Sequence, residues 1–409
     1  MRRSIVMLLV LGMLLTACGG QPSGTAPTAA LNAPTSAAAT SAPDVASPAA
    51  PEPTSPADLA SPAAAPTEAA QPTAAAAATA PSTGGEQKLV VMTHDSFSAS
   101  EDVIKAFEQQ EGVTVEILKS GDAGAALNKA ILSKDNPLAD VFFGVDNTFL
   151  TRALKADIFE PYDAPALKEI SATYKLDSSN RLLPIDYGYV SINYDKNALA
   201  KQKLPVPQKL EDLTKPEWKG KLVVENPATS SPGLAFLLAT VGQFGTSGSY
   251  TWLDYWKDLR KNDVLVTEGW EDAYNNQFSG SSGKGPRPLV VSYASSPPAE
   301  VVYSNGALKE PPTGVMLAGS FLQIEFAGVL KGTRQRALAE RFIDFMLSKR
   351  FQEDMPLQMF VYPVLPGAAL PDVFTQFAPT PTRPVGVPPD QIDQNRDQWI
   401  DAWTKAVLR

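Results

Sequence analysis

The sequence predicts an α/β fold in two lobes, each a mostly parallel sheet with flanking helices, with a hinge between the lobes. Three observations carry this expectation. Short apolar strand signals alternate with amphipathic helix signals in two successive blocks, polar loops close the strands, and one β-rich stretch, Leu183 to Asn197, separates the blocks. Within that stretch Tyr187 to Tyr194 roughly alternates β-branched and aromatic residues with others, as a strand does, and Asp186 and Tyr187 fall where the chain passes between lobes, facing a cleft.

The lobes follow a segment that cannot form a core. Met1 to Arg3 is basic, Ile5 to Leu15 is apolar but too short to span a bilayer, and small residues precede Cys18, so residues 1–18 read as a signal peptide. Leu15-Thr16-Ala17-Cys18 resembles the lipobox of bacterial lipoproteins, which implies lipid modification at Cys18. Because Cys18 is the single cysteine of the 409 residues, an internal disulfide is excluded. Residues 19–87 are dominated by Ala, Pro, Thr and Ser and read as a disordered tether, or equally a glycosylated stalk. The remainder, roughly 320 residues, is long enough for two cores. It divides into residues 88–185 (first lobe), 186–312 (second lobe) and 313–409 (return to the first lobe and C-terminal helices).

In the first block, Lys88 to Met92 is a strand, Ser98-Ala99-Ser100-Glu101 has the pattern of a capping box, and Val103, Ile104 and Phe107 share one helical face that Gly112 ends. Val113 to Ile117, a helix from Ala125 to Leu132 and Val141 to Phe143 complete a βαβαβ unit. In a parallel sheet the ligand crevice lies outside the carboxyl ends of the strands, where Asp95, Asp122 and Asp146 fall.

The second block repeats the scheme. Leu222 to Val224 leads to a hydroxyl-rich loop containing Thr229 and Ser230, which serves either to start the helix at Leu234 or to bind a polar ligand group. Val264 to Thr267 leads to Trp270 and Tyr274, and Leu289 to Tyr293 ends at Tyr293. The strand signal Phe321 to Phe326 precedes an amphipathic helix, Arg334 to Ser348, with Phe351 to Met355 after it. A last helix, Gln391 to Val407, carries Trp399 and Trp403 four residues apart as packing anchors.

The net charge of −9, without a dense Lys/Arg stripe, argues against nucleic acid as a partner. A single histidine, His94, leaves Ser/His/Asp and Cys/His triads and His-rich metal sites without members. Neither a GxGxxG after a strand nor a Walker A sequence is present. No catalytic residue, metal or cofactor is expected, and only a carboxylate-dependent hydrolase survives as an enzymatic alternative. Carboxylates on one side of a cleft with Trp and Tyr on the other suit a small flat cation, each cation–π contact contributing about 0.5 to 2 kcal/mol.

From Leu89 to Arg409 the chain resembles the thiamine-binding solute receptors of bacterial ABC importers, two-lobed periplasmic binding proteins of type II-like architecture. The likeness is carried by residues 93–97, 139–147, Asp186-Tyr187-Gly188-Tyr189, 226–234, 268–274, 292–297 and Tyr362-Pro363-Val364. It implies ligand contacts from Asp95, Ser96, Asp122, Ala123, Asp146, Ser230, Trp270 and Tyr293. Asp186, Tyr187, Thr229, Tyr274, Phe360 and Tyr362 complete the candidate set. Where the family commonly has Tyr, Tyr and Trp around the ligand rings, this chain has His94, Ala299 and Phe360, which removes stacking surface. The resemblance implies a receptor that passes thiamine or a thiamine phosphate to a permease; with the lipobox at Cys18, the expectation is an exported monomer, lipid-anchored at the outer face of the cytoplasmic membrane or on its periplasmic side. Receptors of the same fold for a related pyrimidine, a polyamine or ferric iron are the alternatives, although the adjacent tyrosines typical of iron receptors are absent.

Overall fold

The computed structural model describes residues 87–282 and 284–409; the signal peptide, Cys18 and the tether up to Glu86 lie outside the described residues. Gln87, expected in the tether, opens the first strand. In order, β1 (Gln87–Thr93), α1 (Glu101–Glu111), β2 (Val113–Lys119), α2 (Ala123–Leu132) and β3 (Val141–Asp146) form the expected βαβαβ unit. β1 pairs parallel with both β2 and β3. α3 (Leu150–Lys155), β4 (Phe159–Glu160), β5 (Leu183–Asp195) and α4 (Lys196–Gln202) follow, then β6 (Leu222–Glu225), α5 (Ser231–Phe244), α6 (Trp252–Lys261), β7 (Leu265–Thr267), α7 (Trp270–Asp272) and α8 (Ser279–Ser282). The chain ends with β8 (Leu289–Tyr293), α9 (Ser296–Tyr303), β9 (Thr313–Leu330), α10 (Arg336–Met346), α11 (Lys349–Gln358), β10 (Tyr362–Pro363), α12 (Asp372–Phe377) and α13 (Pro389–Val407).

Among the described residues the strands join in one mixed sheet of order β2-β1-β3-β9-β5-β8-β6-β7, with β4 on β9 and β10 on β5. Each end is parallel, and β5 and β9 run antiparallel through both halves. The strand signal at Phe321 to Phe326 thus marks only part of an 18-residue strand, because Gly319, at φ 80°, sits where the ladder slips between Val190 and Ile192 and breaks the apolar pattern. Both faces of the sheet are covered, so alternate residues enter different cores. Leu89, Val91, Val141 and Phe143 pack with Phe342 and Met346 of α10, while Met92, Phe142 and Val145 pack with Ala126 and Leu127 of α2 on the other face.

Two local expectations change. Ser98 does not cap α1; Ser100 occupies the cap position and its hydroxyl and N–H both turn to Asp354 of α11. A tertiary acceptor has displaced the local box. The apolar segment at Phe351 to Met355 belongs to a helix of its own, α11, capped by Ser348, whose side chain accepts from the Phe351 N–H.

Trp399 and Trp403 pack as expected. Trp403 is fully buried with its ring edge-on to Trp256 of α6 at 5.5 Å, and Arg396 lies 4.7 Å over the Phe149 ring beside α3. α13 therefore ties α6 to α3. Removing a buried indole leaves a cavity that costs about 3 to 5 kcal/mol. Trp403→Ala should lower the urea midpoint by that equivalent with an unchanged slope; a loss below about 1 kcal/mol would show that α13 is not anchored through this ring.

Candidate functional site

The carboxyl ends of β1, β2, β6, β7 and β8 converge on one cavity that opens to solvent. One wall is His94 and Ser96 after β1, Asp122 and Ala123 at the start of α2, Glu325 of β9, and Met359, Phe360 and Val361 after α11. The other is Ser231 and Pro232 opening α5, Trp270, Tyr274, Tyr293, and Ser296 and Ala299 of α9.

The second wall is aromatic and stiff. Trp270 and Tyr274, four residues apart on helical backbone, stack at 4.9 Å and 17°, and Tyr293 approaches Trp270 at 6.4 Å and 62°. Each ring is held by its polar tip: Trp270 Nε1 donates to Ser292 Oγ at 2.9 Å, Tyr274 Oη to Glu300 Oε1 at 2.8 Å, and Tyr293 Oη accepts from Gln323 Nε2 at 3.1 Å. Phe360 sits at φ 55°, in the left-handed region that a bulky residue occupies only under constraint, and its position just past α11 puts it on the cavity lining.

The first wall is acidic. His94 Nε2 lies 3.3 Å from Glu325 Oε1. Burial is the largest single influence and would lower the imidazole pKa, but the nearby acids, Glu325 first and then Asp122 and Asp95, together raise the net value. Asp186 stands opposite Glu325 in the β5–β9 ladder; burial, then the Glu325 charge, pushes its carboxyl well up. Glu225, at the end of β6, is completely buried and neither oxygen has a hydrogen-bond partner among the described residues; burial raises it far above a normal glutamate, and the Asp122 charge adds to this. Burial also raises Asp122, opposed by hydrogen bonds headed by the Trp270 N–H.

Of the candidate residues, Ser96, Asp122, Ala123, Trp270, Tyr274, Tyr293 and Phe360 line the cavity, together with His94 and Ala299. The others are placed elsewhere. Asp95 is exposed at the mouth, its Oδ1 accepting the Gly121 N–H at 2.7 Å. Asp146 ends β3 fully buried with its Oδ1 accepting the Thr148 N–H, and Asp186 is buried behind Glu325. Tyr187 is stacked between Tyr174 at 4.7 Å and Tyr362 at 5.2 Å, and Tyr362 Oη donates to the Ala378 carbonyl. Thr229 Oγ1 donates to the Glu268 carbonyl, and Ser230 caps α5. Glu325 and Glu225 were not singled out from sequence. The signal was there: each is a lone acid in an apolar strand, Glu325 within Phe321 to Leu330 and Glu225 after Leu222-Val223-Val224.

Residues 136–381 match the family of bacterial extracellular solute-binding proteins. The chain belongs to this family. Among curated relatives, the thiamine-binding periplasmic protein of Salmonella typhimurium is 32% identical over 332 residues, spanning 78% of this chain and 94% of that protein. The protein of the same name from Brucella melitensis is 30% identical over 342 residues, covering 81% and 95%. A solved periplasmic thiamin binding protein aligns with a TM-score of 0.70 and 31% identity over 79% of this chain and 97% of its own. A ferric binding protein from Campylobacter jejuni, 20% identical with a TM-score of 0.62 over 78% and 99%, shares the fold. The mixed α/β architecture of the present chain, a central sheet flanked by helices, is therefore one it shares with periplasmic binding proteins.

Asp146, buried at the end of β3 outside the cavity lining, gives the fold a pH signature. Burial pushes its carboxyl to about 7, against hydrogen bonds to Thr148 that pull it down. A carboxyl raised in the folded state contributes its full stability below the unfolded value near 3.8 and loses it as pH rises through 7. Asp146→Asn cannot ionise, so its stability relative to wild type should climb between about pH 4 and 7, by at most about 1.4 kcal/mol per unit. Urea titrations at pH 4.5 and 8 check this; a difference independent of pH would refute the buried, neutral carboxyl.

Proposed function

We propose that the chain is the solute-binding receptor of an ABC importer, which captures thiamine or a thiamine phosphate in the cleft and delivers it to a membrane permease. In this reading residues 88–185 and 313–409 form one lobe and residues 186–312 the other. Cys18 carries the lipid anchor, the tether supplies reach, the receptor acts as a monomer, and no covalent step occurs. The observation that carries it is the cavity itself: an aromatic platform of Trp270, Tyr274 and Tyr293 faces Glu325, Asp122 and His94. A flat ring gains stacking on the first side, and a permanent thiazolium charge gains a carboxylate on the second. The thiamine-binding names of relatives at about 30% identity support the same ligand.

A second reading, a receptor for a related neutral pyrimidine, is favoured by one feature. His94 and Ala299 line the cavity where the resembled family has rings, so the thiazolium half would find less stacking surface.

Calorimetry separates the two. Thiamine should bind the wild type measurably, and Trp270→Ala should weaken it at least tenfold, since losing a central ring costs on the order of 2 kcal/mol. Ala299→Tyr should tighten it. A wild type that ignores thiamine and its phosphates but binds the free pyrimidine would overturn the thiamine assignment. Solution scattering should also show a smaller radius of gyration with ligand bound.

A further inference from the structure

We propose that Asp122 is a positioning residue: its carboxylate latches the two sides of the cleft together and so holds Trp270 over the cavity. This deepens the thiamine reading and rests on it for the ligand, though not for the latch.

The geometry is unusual for a cleft carboxylate, because its oxygens are already used by the protein. Oδ1 accepts from the Ala123 N–H at 2.7 Å and from the Ser231 N–H at 3.3 Å, and Oδ2 accepts from the Trp270 N–H at 2.9 Å. The first donor belongs to the start of α2, on Asp122's own side. The other two open α5 and α7, 109 and 148 residues further along the chain, on the opposite wall. One side chain thus ends three backbone segments that would otherwise leave N–H groups unpaired.

The surrounding backbone is shaped for this approach. The Ala125 N–H donates to the Thr229 carbonyl at 3.2 Å, also across the cleft. A Cβ at Gly124 would come within 2.8 Å of that carbonyl oxygen and of the Phe149 ring, and one at Gly269 within 3.2 Å of Asp122 Oδ2. Ser96 Oγ donates to Glu271 Oε1 at 2.7 Å as a further tie between the walls. The charged and titratable groups around Asp122 are His94 of the β1 loop, Glu225 of β6, Tyr293 of β8, Asp146 of β3 and Glu325 of β9. Against the burial that raises its carboxyl, the Asp122 charge is favoured by the Trp270 N–H, then by the Ser230 hydroxyl, the Ala123 N–H and the His94 charge.

Two consequences follow. Closure needs no anionic group from the ligand, because the protein supplies its own. The Trp270 backbone is fixed by the same bond that closes the cleft, so ring contact and closure are one event. A bound cation then takes its countercharge from Glu325 more than from Asp122.

Asp122→Ala removes all three acceptor contacts, and the isosteric Asp122→Asn removes the charge and one acceptor; the second variant serves if the first does not fold. In ligand-free solution scattering both should have a larger radius of gyration than wild type. With thiamine as probe, stopped-flow tryptophan fluorescence should show dissociation at least about tenfold faster and association changed by less than about threefold, as expected when the closed complex alone is destabilised. The neutral probe hydroxymethyl-aminopyrimidine should weaken by a similar factor. An unchanged radius in a folded variant, or weakening confined to the cationic probe, would overturn the latch and make Asp122 a direct charge contact. Failure of wild type to bind thiamine would overturn the ligand assignment instead, while ligand-free scattering would still decide the latch.

Discussion

The pairing of β5 with β9 is the constraint on which the rest of the structure depends. Both strands run through the two halves of the sheet, and every other strand attaches, directly or through one neighbour or two, to one of them. They are antiparallel within a sheet whose two ends are parallel, so the chain can cross between halves twice without a long connection. Their register also builds the floor of the cavity. Side chains alternate along β9, so Gln323 and Glu325 share one face, the first holding Tyr293 and the second facing His94, while Ile324 and Phe326 enter the core on the other. A slip of one residue would exchange Glu325 for an aliphatic or aromatic group and bury the acid in the core.

What the sequence made legible follows from local rules. Apolar strand runs followed by amphipathic helices identified the βαβαβ unit, and the carboxyl-end rule located Asp122, Trp270 and Tyr293 at the cavity, with Ser96 added by the resemblance. The same rule placed Asp95 and Asp146 there too, and it could not separate them. Asp122 begins a helix and turns inward, Asp95 closes its own loop on Gly121, and Asp146 bends back to Thr148. Those choices depend on single torsions and nearby donors, which no periodicity records. Tyr187 read as a cleft residue because it falls at the hinge, and Tyr362 joined the candidate set from a segment that carries the resemblance, yet with Tyr174 they make a stack that fills its own space. Ser100 shows the same limit at a helix end, where an acceptor 254 residues away replaced the local box.

Glu325 and Glu225 were illegible for a different reason. A lone acid in an apolar run counts against burial in any averaged pattern, yet both acids are buried. Isolated ionised carboxylates would be very costly there, and the response is protonation or a partner. Glu225 and Asp186 follow the first route, their pKa values pushed up by burial, and Glu325 has the second in His94. The single histidine is therefore the partner that Glu325 has beside the cavity.

That arrangement bears on why the aromatic wall can be so rigid. The rings of Trp270, Tyr274 and Tyr293 are fixed by bonds to Ser292, Glu300 and Gln323, so little side-chain entropy remains to be lost when a ligand stacks on them. Adaptability is left to the opposite wall, where His94 can gain or lose a proton and Met359 is an unbranched, flexible side chain. A flat ligand thus meets a preformed platform on one side and a wall that adjusts its charge on the other. With the β5–β9 ladder holding Glu325 between them, the proposed reading has shape recognised mainly by the aromatic wall and charge by the acidic one.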